Sequence, residues 1–511
     1  MLFLVACASD PAVGPNDTAG EGFAEHVDQG VVLGEVVACA DAAPTTTYSE
    51  SGEAWGLKSP ENVSVKHEES PSVAAGDFDG DGLDDLVIVN IDGKSHAYRN
   101  TGAGFEVSDL SAVLIPSLSI LLHDVDGDGD LDLMTGGSAP TTMANVDGSF
   151  SRGDPLPNLP SWTAHVPVLT HDFSPGDIDG DGVVEFYLPL TYNFTDETNQ
   201  YNDLLLVGAN SQYAYEDVVP GGVGFRHGLD AVWFDADGDH DEDVYVVNDF
   251  GMLYGPSTLL RNDDGALVSA EADCYCNVLT NAKGVDIGDY NADGRPDILV
   301  SSNPTDALLR QLDDGTWVDV TTVTNAGAID EFATGWGAIF LDFDNDGQRD
   351  LFPAQGDRWN EGNDHPHFDA PLKLLRQDEG VFADAAADMG IAASGSFRAV
   401  SALDFNGDGV EDLIATSMDD RPLFYLSDGC TEAGWVEIEA PVGSKVVVES
   451  GGHTQTNWVK TDAGYQSHRP ARVHFGLGSR QTIDRLTVTL LGGTTLGATG
   501  IDARRRIVIG G

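Results

Sequence analysis

Basic side chains are scarce in this 511-residue sequence, which has 25 Lys and Arg residues against 85 Asp and Glu residues and a formal net charge of -60. A surface this negative repels nucleic-acid phosphates, so the composition excludes nucleic acid as a partner and favours cations or a basic partner. Long apolar runs are also missing, because no segment approaches the roughly 18 consecutive apolar residues of a membrane-spanning helix. The hydrophobic content of 41% is still enough for a buried core.

Known catalytic signatures are absent as well. The sequence has no GxSxG elbow, no HExxH motif and no Walker loop, so it predicts no enzyme class and favours a non-catalytic role. It has five cysteines but no CxxC pair, which argues against a zinc ribbon or a thioredoxin-type site. The closely spaced Cys274 and Cys276 suit either a rare bridge or two free thiols.

The first residues resemble a processing signal. "MLFLVAC" ends in the lipobox pattern of bacterial lipoproteins, in which the cysteine, here Cys7, is lipidated. The apolar run is short and lacks a basic flank, so either the true start lies upstream or the match is chance. We expect residues 1–7 to be a lipoprotein signal remnant and residues 8–44, rich in Gly, Ala, Asp and Pro, to be a flexible tether.

What the sequence has in abundance is one acidic loop, found seven times. "DFDGDGLDD" begins at Asp77, and related nine-residue stretches begin at Asp124, Asp177, Asp235, Asp289, Asp342 and Asp404. The first aspartates are 47, 53, 58, 54, 53 and 62 residues apart. A unit of roughly 55 residues repeated in this way is an internal repeat, and it determines the fold class.

Each loop offers oxygen donors at positions 1, 3, 5 and 9, and 26 of these 28 side chains are Asp or Glu. Position 6 is Gly in every copy but one, where it is His240, as a turn with positive φ requires. Position 7 varies freely, as expected where only a backbone carbonyl is used. Oxygen donors at alternating positions are how Ca²⁺ is wrapped.

The sequence therefore predicts up to seven structural Ca²⁺ ions. The predicted ligands are Asp77, Asp79, Asp81, Leu83 and Asp85; Asp124, Asp126, Asp128, Asp130 and Asp132; Asp177, Asp179, Asp181, Val183 and Glu185; Asp235, Asp237, Asp239, Asp241 and Asp243; Asp289, Asn291, Asp293, Arg295 and Asp297; Asp342, Asp344, Asp346, Gln348 and Asp350; and Asp404, Asn406, Asp408, Val410 and Asp412. An EF-hand is excluded because position 12 is never Glu. Metal-free Asp/Gly turns remain the alternative.

Short apolar runs flank each loop, and stretches such as "LLRNDDGALVSAEA" predict a strand, a turn and another strand. Four strands per unit and seven units predict an all-β protein, a seven-bladed β-propeller with calcium loops over residues 45–430, followed by a small C-terminal β domain over 431–511. A strand near residues 46–51 would complete the last blade and close the ring. Cys39 and Cys430 flank that closure, so a disulfide between them is suggested by topology alone.

These repeats resemble the FG-GAP or VCBS repeats of integrin-α-type propellers. Residues 443–490, with "GSKVVV", "GGHTQ", "GYQS" and "HFGLG", resemble an ASPIC/UnbV domain, and the combination is similar to the cartilage acidic protein family. The resemblance implies a propeller with calcium loops and a C-terminal β domain. It specifies the fold well and the ligand poorly.

Loops between strands 1 and 2 of every blade lie on one face of a propeller, so long insertions elsewhere place aromatic and basic side chains on the other face. We expect a ligand site there, formed by Trp162, Tyr192, Tyr201, Tyr254, Arg358, Trp359, His365 and His367. Variable surface loops that bind nothing remain the alternative. The leading hypothesis is a calcium-stabilised extracellular binding or adhesion module that recognises a protein or glycan. It would be secreted or lipid-anchored at the bacterial cell envelope, and a monomer is plausible. The alternative is a periplasmic or surface enzyme of lyase or hydrolase type that uses residues 356–371.

Overall fold

Strands make up nearly all of the regular structure in the computed structural model. The structure describes residues 25–39, 43, 45–58, 71–91, 95–112, 114–146, 148–153, 156–157, 168–192, 203–209, 212–218, 227–263, 265–327, 333–357, 369–418 and 421–510. The predicted all-β fold is confirmed within these ranges.

Seven sheets, numbered here in chain order, fill the repeat region of the described chain, each with four antiparallel strands. Sheet 1 has a fifth strand, Ser467–His468, which pairs in parallel with Ser72–Gly76. Sheet 1 contains Ser72–Gly76, Asp85–Val89, His96–Asn100 and Phe105–Val107; sheet 2 contains Ile120–His123, Asp132–Thr135, Thr141–Val146 and Ser149–Arg152; sheet 3 contains Ser174–Gly176, Glu185–Leu188, Leu204–Ala209 and Gln212–Asp217; sheet 4 contains Gly228–Phe234, Asp243–Asn248, Thr258–Asp263 and Ala266–Ser269. Sheet 5 contains Asn281–Gly288, Asp297–Asn303, Ala307–Gln311 and Trp317–Asp319; sheet 6 contains Thr334–Leu341, Asp350–Gly356, Leu375–Asp378 and Val381–Asp384; sheet 7 contains Phe397–Leu403, Asp412–Ser417, Leu423–Ser427 and, from the N-terminal side, Tyr48–Glu50.

Each sheet shares an apolar core with the next one along the chain. Leu121 of sheet 2 packs in one cluster with Phe186 of sheet 3, and Val73 of sheet 1 packs in another with Ile414 of sheet 7. Contact between the first and the last sheet closes a ring, the arrangement of a β-propeller. Tyr48–Glu50 pairs with Leu423–Ser427 at this seam, so the chain's N-terminal side completes sheet 7.

The C-terminal domain has two sheets. One contains His26–Val27, Thr495–Asp502, Thr482–Thr489, Lys445–Ser450 and His453–Trp458; the other contains Val31–Leu33, Arg505–Ile509, Gly434–Glu439 and Arg472–Gly478. The expectation of a flexible tether over 8–44 is wrong at His26–Val27 and Val31–Leu33. These residues form strands because Val31 packs in the apolar core of the domain beside Val436 and Ile507.

The remaining short elements are the α-helical turns Gly251–Tyr254 and Thr321–Thr324, the 3-10 turns Asp109–Ala112 and Leu491–Gly493, and the strand pairs Val168–Thr170 with Leu190–Tyr192 and Ala370–Pro371 with Ser394–Gly395. None of the helices in the described ranges is long and apolar enough to span a membrane. Cys39 is bonded to Cys430, and Cys274 to Cys276. The first of these bonds ties the N-terminal side to the end of the ring.

Candidate metal loops and the domain that covers them

All seven acidic loops occupy the same place in their sheets. The residue before position 1 is the last of the first strand, and it pairs with position 9, the first residue of the second strand. Thus Gly76 pairs with Asp85, and the same register recurs in the other six sheets: His123 with Asp132, Gly176 with Glu185, Phe234 with Asp243, Gly288 with Asp297, Leu341 with Asp350, and Leu403 with Asp412. The nine-residue pattern therefore specifies one local structure seven times.

The carboxylate at position 1 holds the turn together. Asp77 Oδ1 accepts hydrogen bonds from Gly80 N at 2.8 Å and Asp81 N at 3.1 Å, and Asp77 Oδ2 accepts one from Gly82 N at 2.8 Å. Positions 4 and 6 both have positive φ, at 74° for Gly80 and 92° for Gly82. The sequence analysis identified this requirement at position 6 and missed it at position 4, where Ala292 and Asn345 replace Gly with φ of 55° and 58°.

The carboxylate at position 9 joins the loop to the third strand. Asp85 Oδ2 accepts a hydrogen bond from Phe78 N, and Asp85 Oδ1 accepts one from Asn100 N at 2.8 Å. Asp85 is buried, and burial raises its pKa to about 8. Burial likewise raises the pKa of Asp132 to about 6 and of Asp297 to about 8. In the absence of a cation, these groups therefore keep their protons to a higher pH than a solvent-exposed carboxyl group does.

The donor set in the loops fits a hard cation. Asp77, Asp79 and Asp85 each place one carboxylate oxygen within 4.8 Å of the others, and the equivalent residues of the next two loops do the same. At position 3, the buried oxygen Oδ1 of Asp79 accepts no hydrogen bond from any residue in the described ranges. The Oδ1 atoms of Asp126 and Asp344, at the same position in their loops, also accept none. Such oxygens are the ligands that Ca²⁺ prefers.

Arginine side chains neutralise part of this charge in some loops. Arg376 Nη2 lies 2.9 Å from Asp344 Oδ2, while Arg99 Nη1 lies 3.9 Å from Asp79 Oδ2. Arg295, at position 7 of the fifth loop, lies 2.6 Å from Asp293 Oδ2 and so contacts a predicted ligand of its own loop. The loops therefore share one backbone conformation, but a cation would have to compete with an arginine for the carboxylates of Asp79, Asp293 and Asp344.

In each loop, the backbone carbonyl at position 2 accepts a hydrogen bond from the next sheet around the ring. The sequence analysis missed this feature. Asn145 Nδ2 of sheet 2 donates a hydrogen bond to Phe78 O at 2.7 Å, in the loop of sheet 1. The same carbonyl accepts a bond from the next sheet at each of the other six interfaces: Val125 from Tyr213, Ile178 from Asn262, Ala236 from Gln311, Tyr290 from Gln377, Phe343 from Tyr48, and Phe405 from Asn100. The recurring "RN" and "RQ" pairs on the third strands were the available signal.

The C-terminal domain covers this same face of the ring. The most extensive contact is with the sixth loop, where Gly476 N donates to Asp342 Oδ2 at 3.0 Å and His474 Nε2 lies 2.6 Å from Asn345 Oδ1. Other contacts are Gly492 N to His240 O, Lys445 Nζ to Gly294 O, and Arg472 Nη2 to Asp84 Oδ1. In the seventh loop, Gly409 lies against Trp435 of the domain. The fourth to seventh and the first loops therefore lie beneath or beside the domain.

The predicted ligand face is described only in part. Tyr254 ends the turn Gly251–Tyr254, and its ring stacks on His227 with 6.2 Å between centroids. Tyr192 ends the strand Leu190–Tyr192, and its side chain lies outside the described residues. Also outside them are Trp162, Tyr201, Arg358, Trp359, His365 and His367, and Cys7 at the proposed lipidation site.

Two protein families match this chain. The ASPIC and UnbV family matches residues 439–510, and the FG-GAP-like repeat matches residues 77–135, 235–300 and 289–352. The matched repeats contain the loops of sheets 1, 2, 4, 5 and 6, and the ASPIC and UnbV segment contains the residues that contact the sixth loop.

Among curated proteins, the chain is similar to cartilage acidic protein 1. It is 26% identical to the Homo sapiens protein over 258 residues, 45% of this chain and 38% of that one, and 25% identical to the Xenopus tropicalis protein over 315 residues, 57% of this chain and 46% of that one. The chain thus covers less than half the length of these relatives. Among solved structures, the Dos1 propeller aligns with a TM-score of 0.31 and 9% identity, over 75% of this chain and 95% of that one.

Proposed function

We propose that this chain, which carries FG-GAP-like repeats and an ASPIC and UnbV domain, is a calcium-stabilised, non-catalytic binding module that works outside the cytoplasm. The observation that carries the proposal is the set of buried carboxylate oxygens at position 3, in Asp79, Asp126 and Asp344, that accept no hydrogen bond from the described residues. A buried oxygen without a donor is costly, and it recurs where a Ca²⁺ ligand belongs.

Calcium would stabilise the ring through the loop framework. Asp77 accepts hydrogen bonds within the turn, and Asp85 accepts one from the third strand. Asn145 of the next sheet donates a hydrogen bond to the same turn. A divalent ion between these carboxylates converts their repulsion into attraction, so binding energy becomes folding energy. Extracellular calcium modules bind at about 10⁻⁴–10⁻³ M, which suits a protein that is folded outside the cell and loosens when calcium is removed.

The test is a calcium titration of the dialysed full chain, by calorimetry with metal analysis and thermal melting. We expect up to seven ions per chain and a large rise in melting temperature. Asp126→Asn removes charge at one position 3 while Asp124 still holds the turn, so it should lower the stoichiometry by one. Exposed Asp109→Asn is the matched control. A content of two ions or fewer, or a melting curve that EDTA leaves unmoved, would overturn the calcium proposal.

Ligand recognition is proposed for the face away from the C-terminal domain. Between the second and third strands of sheet 4, Met252 and Leu253 are 84% and 73% exposed. Gly251 N donates to Thr280 O, which brings this turn beside Leu279, itself 56% exposed. Exposed apolar side chains that cluster in this way mark a binding surface, here for a protein or a glycan.

This surface can be tested by applying the labelled chain to arrays of extracellular proteins and glycans. Leu253→Asp should abolish binding to any ligand that the wild type retains, because it places a charge in the apolar cluster. Val381→Asp, at a half-exposed position on the fourth strand of sheet 6, is the control. Equal binding by both variants would rule out the surface. The enzymatic alternative depends on 356–371, most of which lies outside the described residues.

Location outside the cytoplasm is supported by the two disulfide bonds, because reduced thiols prevail in the cytosol. The cartilage acidic protein relatives agree with an extracellular site.

Lipid anchoring through Cys7 is proposed from the lipobox pattern alone, and mass spectrometry of the membrane-fraction protein would test it. An unmodified N-terminal segment there would exclude the anchor.

A further inference from the structure

A segment of the C-terminal domain lies along the axis of the ring. Ser467–His468 pairs in parallel with the first strand of sheet 1, and Gln466 O accepts a hydrogen bond from Val73 N. Tyr465 is fully buried and packs on Trp336, with 5.3 Å between ring centroids. The segment therefore carries its polar side chains into the interior, beside the first strands of sheets 3 and 4.

There His468 meets two aspartates. Its Nε2 lies 2.8 Å from Asp172 Oδ1, and its Nδ1 lies 3.4 Å from Asp462 Oδ1. Ser174 Oγ donates to Asp462 Oδ2 at 2.8 Å and fixes that carboxylate. His468, Asp172 and Asp462 are each no more than 2% exposed, so water does not screen these charges.

A third carboxyl group, that of Asp230, completes the cluster. Asp230 is 1% exposed, accepts a hydrogen bond from Val285 N at 2.8 Å and lies within hydrogen-bonding reach of Asp172. Asp172 Oδ2 accepts no hydrogen bond from any described residue. Two buried carboxyl groups thus face each other without a donor between them.

The local charges do not balance. Two carboxylates contact the imidazole and the third carboxyl group lies beside Asp172, while the nearby ammonium of Lys460 is engaged by Asp286 Oδ1 at 3.0 Å and by Ile287 O. Buried charges of one sign need a proton or a cation, because their desolvation is costly. A histidine with one ring nitrogen against a fixed carboxylate and the other against a second carboxylate has the usual arrangement of a metal-binding histidine.

We propose that Asp172, Asp230 and His468 Nε2 bind one divalent transition-metal ion of the zinc type at the ring axis, with Asp462 orienting the imidazole. The mixed nitrogen and oxygen donors distinguish this site from the acidic loops, whose donors are all oxygen. Asp172 and Asp230 belong to the ring, whereas Asp462 and His468 belong to the C-terminal domain. The site therefore exists only when the two are docked, and the ion would fasten one to the other.

The experiment loads the full chain with Zn²⁺ in saturating calcium, removes unbound metal and counts zinc per chain. One zinc ion is expected in the wild type, and His468→Gln should lose it. His453→Gln is the control, since His453 is an exposed histidine of the same domain. Zinc content that is negligible in the wild type, or equal in both variants, would overturn the proposal. Circular dichroism shows whether each variant is folded.

A second variant separates the metal from a shared proton. Asp172→Asn keeps the shape of the side chain and relieves the repulsion with Asp230. If a metal is bound, this variant loses the zinc ion and the zinc-dependent rise in melting temperature. If a proton resolves the cluster instead, the wild type shows no zinc-dependent rise and the variant melts at the same or a higher temperature, which would overturn the proposal. Visible d–d absorption of the Co²⁺-loaded wild type gives an independent check.

Discussion

The second and sixth acidic loops have the same local structure in different surroundings. Asp124 Oδ1 accepts from Gly127 N, Asp342 Oδ1 accepts from Asp346 N, and both loops connect the first two strands of a sheet. Asp124 is half-buried, with nothing from the C-terminal domain among the hydrogen bonds described for it. Asp342 is 1% exposed and also accepts from Gly476 N of that domain.

The difference shows that the repeat motif specifies the conformation of the turn. The covering domain determines how much of the free energy of unfolding depends on that turn. Burial raises the pKa of Asp132, at position 9 of the second loop, to about 6. Burial and the nearby Asp344 raise the pKa of Asp350, its counterpart in the sixth loop, well above the usual value. Under the calcium proposal, an uncovered loop would lose its cation locally, whereas loss of the cation from a covered loop would affect the docking of a whole domain.

The largest expected difference in the free energy of unfolding follows from removing the position 1 carboxylate in the sixth loop and, separately, in the second loop. Asp342→Ala leaves three backbone donors without a partner, the buried Gly476 N and the partly buried Asp346 N and Gly347 N, and should lower the free energy of unfolding by about 3–5 kcal/mol. Asp124→Ala exposes its donors to water and should cost about 1–2 kcal/mol. Urea unfolding in saturating calcium measures both. Equal losses would mean that the C-terminal domain adds nothing to the sixth loop.

Docking can be weakened without changing a loop. A Cβ atom at Gly476 would overlap the carboxylate of Asp342 and the backbone of Asn345, so Gly476→Ala should cost about 2–3 kcal/mol. Exposed Ser479→Ala, three residues on, is the control. We expect faster proteolysis between the ring and the domain in the glycine variant alone. Unchanged stability would show that the two parts separate freely at this contact.

The local part of this comparison could be predicted from the sequence. The oxygen donors, the Gly at position 6 and the flanking apolar runs specify a strand, a turn and a strand without reference to the rest of the chain. Position 4 was missed because Ala292 and Asn345 broke the glycine pattern, and a side chain at positive φ leaves no mark on composition.

The covering domain could not be predicted in the same way. Arg472 contacts Asp84 across 388 residues, and no local pattern encodes such a pairing. Likewise, His474 of the HFGLG stretch has its Nε2 2.6 Å from Asn345 Oδ1 of the sixth loop, a contact that the stretch itself does not encode. The N-terminal strand Val31–Leu33 was assigned to a tether because three residues are too few to show the alternating pattern of a strand. Its strand conformation depends on pairing with a sheet formed by the distant C-terminal residues.

The pH dependence of the calcium-free protein should sharpen the contrast further. Burial raises the pKa of Asp85, Asp243 and Asp297 to about 8 in the folded chain, against about 4 when unfolded. Between these values the folded state holds more protons than the unfolded state, so stability falls as pH rises from about 4 to about 8. Urea unfolding in EDTA at intervals across this window measures the decline. Calcium should abolish this pH dependence, because it binds the ionised carboxylates. A rise in stability with pH in EDTA would contradict the prediction.

The smallest effect concerns the fourth loop, where His240 occupies position 6 with φ of 74°. A left-handed conformation costs about 1 kcal/mol for a residue with a side chain, so His240→Gly should stabilise the calcium-bound protein by about 1 kcal/mol or less. Two contacts oppose this gain: His240 Nδ1 lies 3.6 Å from Asp235 Oδ2, and its ring lies against Gly493 of the C-terminal domain.

Because the hydrogen bond from Gly492 N goes to the His240 backbone, it survives the change and keeps the domain in place. The side chain is 49% exposed, so its pairing with Asp235 is worth little. Thermal melting of both proteins in saturating calcium and in EDTA decides the balance. A gain in both conditions means that the backbone conformation dominates. A loss in both would mean that the imidazole contributes to this loop through Asp235 and Gly493, and that the fourth loop depends on the covering domain as the sixth does.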